Sequence, residues 1–373
     1  MRARHIPGLD GLRALSVLFV IAFHAHFALA RGGFLGVTVF FVLSGFLITG
    51  LLLREQDQSG EIQLGRFYAR RLFRLYPALI LLVTLSVLAT LVYLKDWSGT
   101  YLSSPVALVY LSNVTAAFRD HGGLYQHTWS LSVEEQFYLL WPLALLGVAR
   151  SSTPDARRRL ARFTLISAVL SYLGALASYF AGHYTLSRLT PLSASGLLVG
   201  CALALHLNTA SGPTLARVAA QCRRLAPFAA VILVGLLAAA APSGPPSLRR
   251  DIVYAGAGPA AVLATAVLVG HFTTGDSRLL RALEVRPLRA VGRVSYGMYL
   301  FHILIWATLL HYAPDTYPGT VFLVTAVVAF AVARVSYRFV ELPALRWRDR
   351  VASVERRVIA GSAPAPAAAS LPL

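Results

Sequence analysis

The residues best placed to do chemistry in this chain are ionisable groups set in stretches that are otherwise apolar. Arg13 and His24 share one such stretch, eleven residues apart. In a helix that is close to three turns, so both side chains lie on one face, about 16 Å apart along the axis. A neutral histidine is the natural general base near pH 7. The plainer alternatives are a histidine bonded to a neighbouring helix and an arginine that snorkels to the surface. His26 falls on another face, so the His-Ala-His triplet lacks the spacing of a helical metal pair, and no metal site is expected. Glu134 and Glu135 lie in HTWSLSVEEQFY, about one turn into another apolar stretch and at roughly the depth of His24. A carboxylate aimed at His24 would fix its tautomer and steady the imidazolium. A solvated helix N-terminus is the competing explanation, stronger for Glu135. Arg71 and Arg74 are three residues apart on one helical face. Paired guanidiniums match a phosphate, although a simple membrane anchor accounts for them too. His302, near the middle of a further apolar stretch, is either a substrate contact or a core hydrogen-bonding residue. Ionisable groups at such depth are costly and default to function.

The elements that must hold these groups are membrane helices. Of the 373 residues 57% are hydrophobic and only 13% charged, where soluble domains carry about 25% charge. The mean hydropathy is +0.63. A soluble enzyme is excluded, and with two cysteines so is a disulfide scaffold. The net charge of +18 could suggest nucleic acid, but in so apolar a chain it reads as the positive-inside bias, with no nucleic-acid partner. Apolar windows near the ~20 residues needed to cross a bilayer fall at about 10–30, 34–53, 76–94, 131–149, 163–181, 188–206, 227–242, 253–272, 294–312 and 319–339. Residues 104–118 are apolar but short. If they do not cross, 25 of the 34 Lys and Arg residues fall in segments on one side. The expectation is therefore an all-α polytopic membrane protein of ten transmembrane helices, with a re-entrant or interfacial segment near 104–118 and both termini cytoplasmic. Residues 1–345 form the bundle. Residues 346–373, basic and then Ala/Pro-rich, are expected to be a disordered cytoplasmic tail. The first span is too long, and too interrupted by Arg13 and His24, for a cleaved signal peptide.

Taken together, DGLRALSVLFVIAFHAH, GGFLGVTVFFVLSGFLITGLLLRE, GRFYARRLFRLYPA, HTWSLSVEEQFYLLWPL, SYGMYLFH and FVELP resemble, in order, the membrane acyltransferase family 3. These are O-acyltransferases of envelope polysaccharides and some antibiotics, and the likeness runs from residue 9 to about 343. It implies a multi-pass plasma (inner) membrane enzyme that moves an acetyl or short acyl group from cytoplasmic acyl-CoA to a hydroxyl of a carbohydrate or glycosylated acceptor. No permanently bound cofactor is implied. The family's Arg-x10-His pair falls on Arg13 and His24, its Arg-x-x-Arg on Arg71 and Arg74, and its motif glutamate on Glu134. Glu135 occupies a variable position. Thr38 stands where the family often has Asp, so any orienting role of that Asp is absent or moved to Glu134. Some members also carry an extracellular hydrolase-like domain, and this chain is expected to act without one or with a separate partner.

Residues and resemblance suggest one mechanism. Arg71 and Arg74 hold the phosphates of CoA and Arg13 contacts the arm or pyrophosphate. His24 deprotonates the acceptor hydroxyl, Glu134 orients His24, and Trp129 and Tyr138 line the acceptor mouth, with interfacial anchoring the stronger alternative for Trp129. The rivals are an antibiotic-tailoring acyltransferase of the macrolide type and a proton-coupled transporter using His24, Glu134 and His302 as a relay.

Overall fold

A computed structural model of the chain describes residues 6–94, 99–118, 123–149, 154–240, 248–275 and 277–350. Among these residues there are helices and turns but no strand. α1 (Pro7–His24) starts with proline in its first turn, where the missing N–H costs nothing. It stops at His24 rather than running on to residue 30. His26 adopts a left-handed conformation, φ 55°, and the amides of His26 and Phe27 turn back onto the carbonyls of Phe23 and Ala22, which closes the helix. α2 (Gly36–Ser59) and α3 (Leu64–Ala89) follow, and α3 runs on as a π-helical turn, Thr90–Leu94.

Residues 104–118 lie in two short helices, α4 (Thr100–Leu108) and α5 (Ser112–Phe118), of nine and seven residues. They are separated by a turn in which Tyr110 is left-handed, φ 54°. Neither approaches the ~20 residues needed to cross. A 3₁₀ turn, Gly123–Thr128, then leads into α6 (Trp129–Ala149). Next come α7 (Pro154–Phe180), α8 (Thr190–Ser193), α9 (Ser195–Thr209), α10 (Gly212–Ala239) and α11 (Leu248–Thr274). The chain continues through α12 (Arg278–Leu283), α13 (Arg286–Arg293), α14 (Ser295–Tyr312) and α15 (Pro318–Ser336). After a π-helical turn, Tyr337–Glu341, residues 342–350 are again helical. The rest of the expected tail, 351–373, lies outside the described residues.

Among the described residues seven helices are long and apolar enough to cross a membrane: α1, α2, α3, α7, α10, α11 and α15. α13 and α14 together make an eighth candidate, bent by 73° at its break. α6 and α9 occupy the two remaining hydropathy windows. The window at 188–206 is interrupted near Pro191, so its continuous helix, α9, has only 15 residues. The chain is a nearly all-helical, multi-pass membrane protein. One face of α7 presents Phe163, Ile166, Leu170 and Leu173 outward, a surface suited to lipid and not to water.

Three apolar clusters hold the bundle together. One joins α1, α3, α14 and α15, a second α1, α2, α10 and α11, and a third α2, α6 and α9. α1 and α2 each serve two clusters and so form the axis of the fold. α2 meets α9 through two glycines. A Cβ at Gly45 would lie 1.9 Å from the Leu197 carbonyl oxygen, and one at Gly200 would lie 2.1 Å from that of Val42. Small residues of this kind let membrane helices touch backbone to backbone.

Gly200→Val is expected to cost about 1–3 kcal/mol or more through overpacking, seen as a lower melting temperature of purified protein in detergent. Gly235→Ala, where an added Cβ has nothing within 4 Å, should leave that temperature unchanged or raise it.

Candidate active site

The end of α1, the middle of α14 and the turn before α6 bring three histidines together. His24 and His302 have ring centroids 5.0 Å apart, and His127 and His302 5.1 Å. Carbonyl oxygens only accept hydrogen bonds, so the nitrogen facing each one carries the proton, and the tautomers follow. His24 Nδ1–H donates to the Val20 carbonyl at 2.9 Å. His302 Nδ1–H donates to that of Tyr299 at 2.5 Å, and His127 Nε2–H to that of Leu300 at 2.9 Å. His302 therefore presents a lone pair at Nε2, and that atom lies 3.3 Å from His24 Nδ1. The proton of His24 is thus shared between a carbonyl and a second imidazole, which leaves the Nε2 lone pair of His24 free to accept another. His127 and His302 are buried, at 4% and 0% exposure, whereas His24 is half-buried. Among the described residues no three His, Cys, Asp or Glu side chains converge in a metal-holding group.

Glu134 does not reach this cluster. Its Oε1 accepts from Ser44 Oγ of α2 at 2.8 Å, because α6 packs on α2 and turns Glu134 away from the end of α1. The equal depth expected from the sequence does not bring the two groups into contact. The orienting partners of His24 are the Val20 carbonyl and His302.

Glu134 faces a cavity of about 150 Å³ instead. That is room for a slender chain, well below the ~300–1,000 Å³ of drug-sized sites. Arg13, Arg71, Arg74 and Tyr138 also line it. Arg74 is exposed, whereas Tyr299 and Ser130 at the other end are 6% and 4% exposed, so the cavity runs from a basic mouth to a buried floor. At the floor the Tyr299 hydroxyl lies 2.7 Å from both Ser130 Oγ and the His127 carbonyl, and its ring stands edge-on to Phe40. His302 is one helical turn beyond Tyr299 on α14, so the floor of the cavity abuts the histidine cluster.

Arg71 and Arg74 differ despite sharing a helical face. The Arg71 guanidinium bonds Glu135 Oε1 at 2.8 Å and lies 3.5 Å above the centre of the Tyr138 ring. The second glutamate of the pair thus has a definite partner. Trp129, a sequence candidate for the acceptor mouth, is half-buried with its edge against Phe41. Tyr138 is buried beneath Arg71 and lines the cavity.

Sequence reasoning gave no role to Ser44, His127, Ser130 or Tyr299. His127 opens, and Tyr299 sits inside, segments already marked by their polar residues. Only the packing of α6 and α14 reveals their contacts.

Over residues 6–338 the sequence matches a family described as an acyltransferase domain. It is 32% identical over 359 residues to the peptidoglycan O-acetyltransferase OatA of Listeria monocytogenes, which covers 91% of this chain and 56% of that protein. It is also 32% identical to the putative peptidoglycan O-acetyltransferase YrhL of Bacillus subtilis, over 91% of this chain and 55% of the relative. The O-acetyltransferase OatA of Staphylococcus aureus is 29% identical, over 91% and 57%. The chain spans about half the length of the curated relatives it matches. No solved structure matches it.

Glu135→Gln removes the counter-charge from Arg71. It should cost about 1–3 kcal/mol, measured as a lower denaturation temperature, whereas the same change at exposed Glu61 should have no effect.

Proposed function

Because the chain belongs to this acyltransferase family, we propose that it is a membrane-embedded O-acetyltransferase that moves an acetyl group from acyl-CoA to a hydroxyl of peptidoglycan. The relatives' names supply the group and the acceptor, and they put the antibiotic-tailoring and transport readings second. The observation that carries the proposal is a narrow cavity with a basic mouth whose floor, at Tyr299, abuts the cluster of three histidines that includes His24.

In this scheme the phosphates of the donor stay at the arginine mouth and its slender arm enters the cavity. Arg13 and Arg74 form the donor-binding surface, beside an Arg71 held by Glu135 and Tyr138. Glu134, held by Ser44, accepts hydrogen bonds from the amide N–H groups of the arm. His24 Nε2 takes the proton of the acceptor hydroxyl as its oxygen attacks the thioester carbonyl carbon. Collapse of the tetrahedral intermediate breaks the C–S bond, and the proton on His24 passes to the departing CoA thiolate. While His24 is charged, its Nδ1–H still faces the Val20 carbonyl and His302 Nε2, two acceptors already in place. The positive-inside bias sets the arginine mouth on the cytoplasmic side, where acyl-CoA is available.

The test is acetyl transfer from acetyl-CoA to peptidoglycan fragments by the purified chain in proteoliposomes. His24→Ala should lower the rate by at least about 100-fold while leaving acetyl-CoA binding within a factor of two or so. A rate equal to wild type would remove His24 from the mechanism.

A further inference from the structure

One cation on the cavity lining belongs to no motif read from the sequence. Arg293 is the last residue of α13, immediately before the 73° break into α14. It is exposed and lines the cavity with Arg13 and Arg74. Its position is fixed by the neighbouring residue, since a Cβ on Gly292 would lie 2.0 Å from the Asp10 carbonyl oxygen of α1. That contact presses α13 against the first turn of the helix that carries Arg13. Just past the break, α14 begins at Ser295 with no side chain capping its N-terminus, and Ser295 and Tyr296 also line the cavity.

The guanidiniums here divide into two kinds. Arg71 is engaged by Glu135 and Tyr138. Among the described residues Arg13, Arg74 and Arg293 form no ion pair, and the carboxylate that lines the cavity, Glu134, is bonded to Ser44. Three cations from three helices therefore face one cavity beside uncapped helix amides. That arrangement suits an anion of more than one charge.

We propose that Arg293, with Arg74, is the phosphate-recognising end of the donor pocket, and that Arg71 braces α6 rather than binding phosphate. This rests on acyl-CoA being the donor, as proposed above. The exposed pair holds the phosphates at the mouth, the uncapped amides of α14 add to the attraction, and the narrow cavity admits only the arm. The enzyme then selects its donor by the phosphates as well as by the thioester.

The test uses the full-length chain in detergent and measures the affinity for CoA, for dephospho-CoA and for pantetheine, which carries no phosphate. Arg293→Gln should weaken CoA binding by about 10- to 100-fold and leave pantetheine binding unchanged. Arg293→Lys should recover part of the loss. Arg286→Gln, the same charge change at an exposed residue of α13 away from the cavity lining, should bind CoA as wild type does. A loss confined to CoA places Arg293 on the 3′-phosphate, and a loss shared with dephospho-CoA places it on the pyrophosphate; either supports the proposal. Wild-type affinity in Arg293→Gln, or an equal loss for pantetheine, overturns it and leaves the donor standing. Failure of the wild-type protein to bind CoA overturns both.

Discussion

A Cβ on Gly292 would meet the carbonyl oxygen of Asp10 at 2.0 Å, and one on Gly11 would meet that of Leu283 at 2.1 Å. α1 and the chain from α12 into α13 therefore touch backbone to backbone, with no side chain between them. The basic end of the bundle is built on this contact. It sets Arg13 and Arg293 around one cavity from separate helices and fixes where α14 must start after the break. Because α1 is a single unbroken helix, the same contact also sets where His24 stands, nearly four turns away, opposite His302.

The two ends of α1 handle polarity in opposite ways. At the arginine end, charge is left partly exposed and is balanced selectively: Glu135 answers Arg71, and Ser44 holds Glu134. At the histidine end no carboxylate takes part among the described residues. Three imidazoles are ordered by backbone carbonyls, each fixing one tautomer, and hydrogen bonds rather than ion pairs hold them. A neutral network of this kind avoids placing an unpaired charge in the interior, where it would be expensive.

Much of this arrangement could be read from the sequence because one coordinate, depth along a helix, is encoded by residue spacing. Hydropathy located helices at all ten windows, and an eleven-residue spacing put Arg13 and His24 on one face of α1. The stretch at 104–118 was recognisably too short to cross, though its division into α4 and α5 at a left-handed Tyr110 was not visible. Rotation about each helix axis and the order of neighbours are not encoded in this way. Glu134 was read as level with His24 in depth, yet α6 packs on α2, where Glu134 bonds Ser44, and the partner on His24 proved to be His302 from a segment almost 280 residues away. Arg71 and Arg74 look equivalent at three-residue spacing. Only the approach of Glu135 and Tyr138 from another helix separates them.

The difference between Arg71 and the exposed arginines has an entropic side. A free arginine side chain carries about 2 kcal/mol of rotamer entropy, and Arg71 has surrendered its share on folding, between Glu135 and the face of Tyr138. Arg74 and Arg293 keep theirs until something binds. The frame around them, joined through glycines, froze no rotamers where it closed. Freedom is thus left to the two exposed groups at the cavity mouth, which the proposed donor would meet first. A stiff scaffold with two loose cations at its entrance favours capture over tight retention, which suits the proposed donor site.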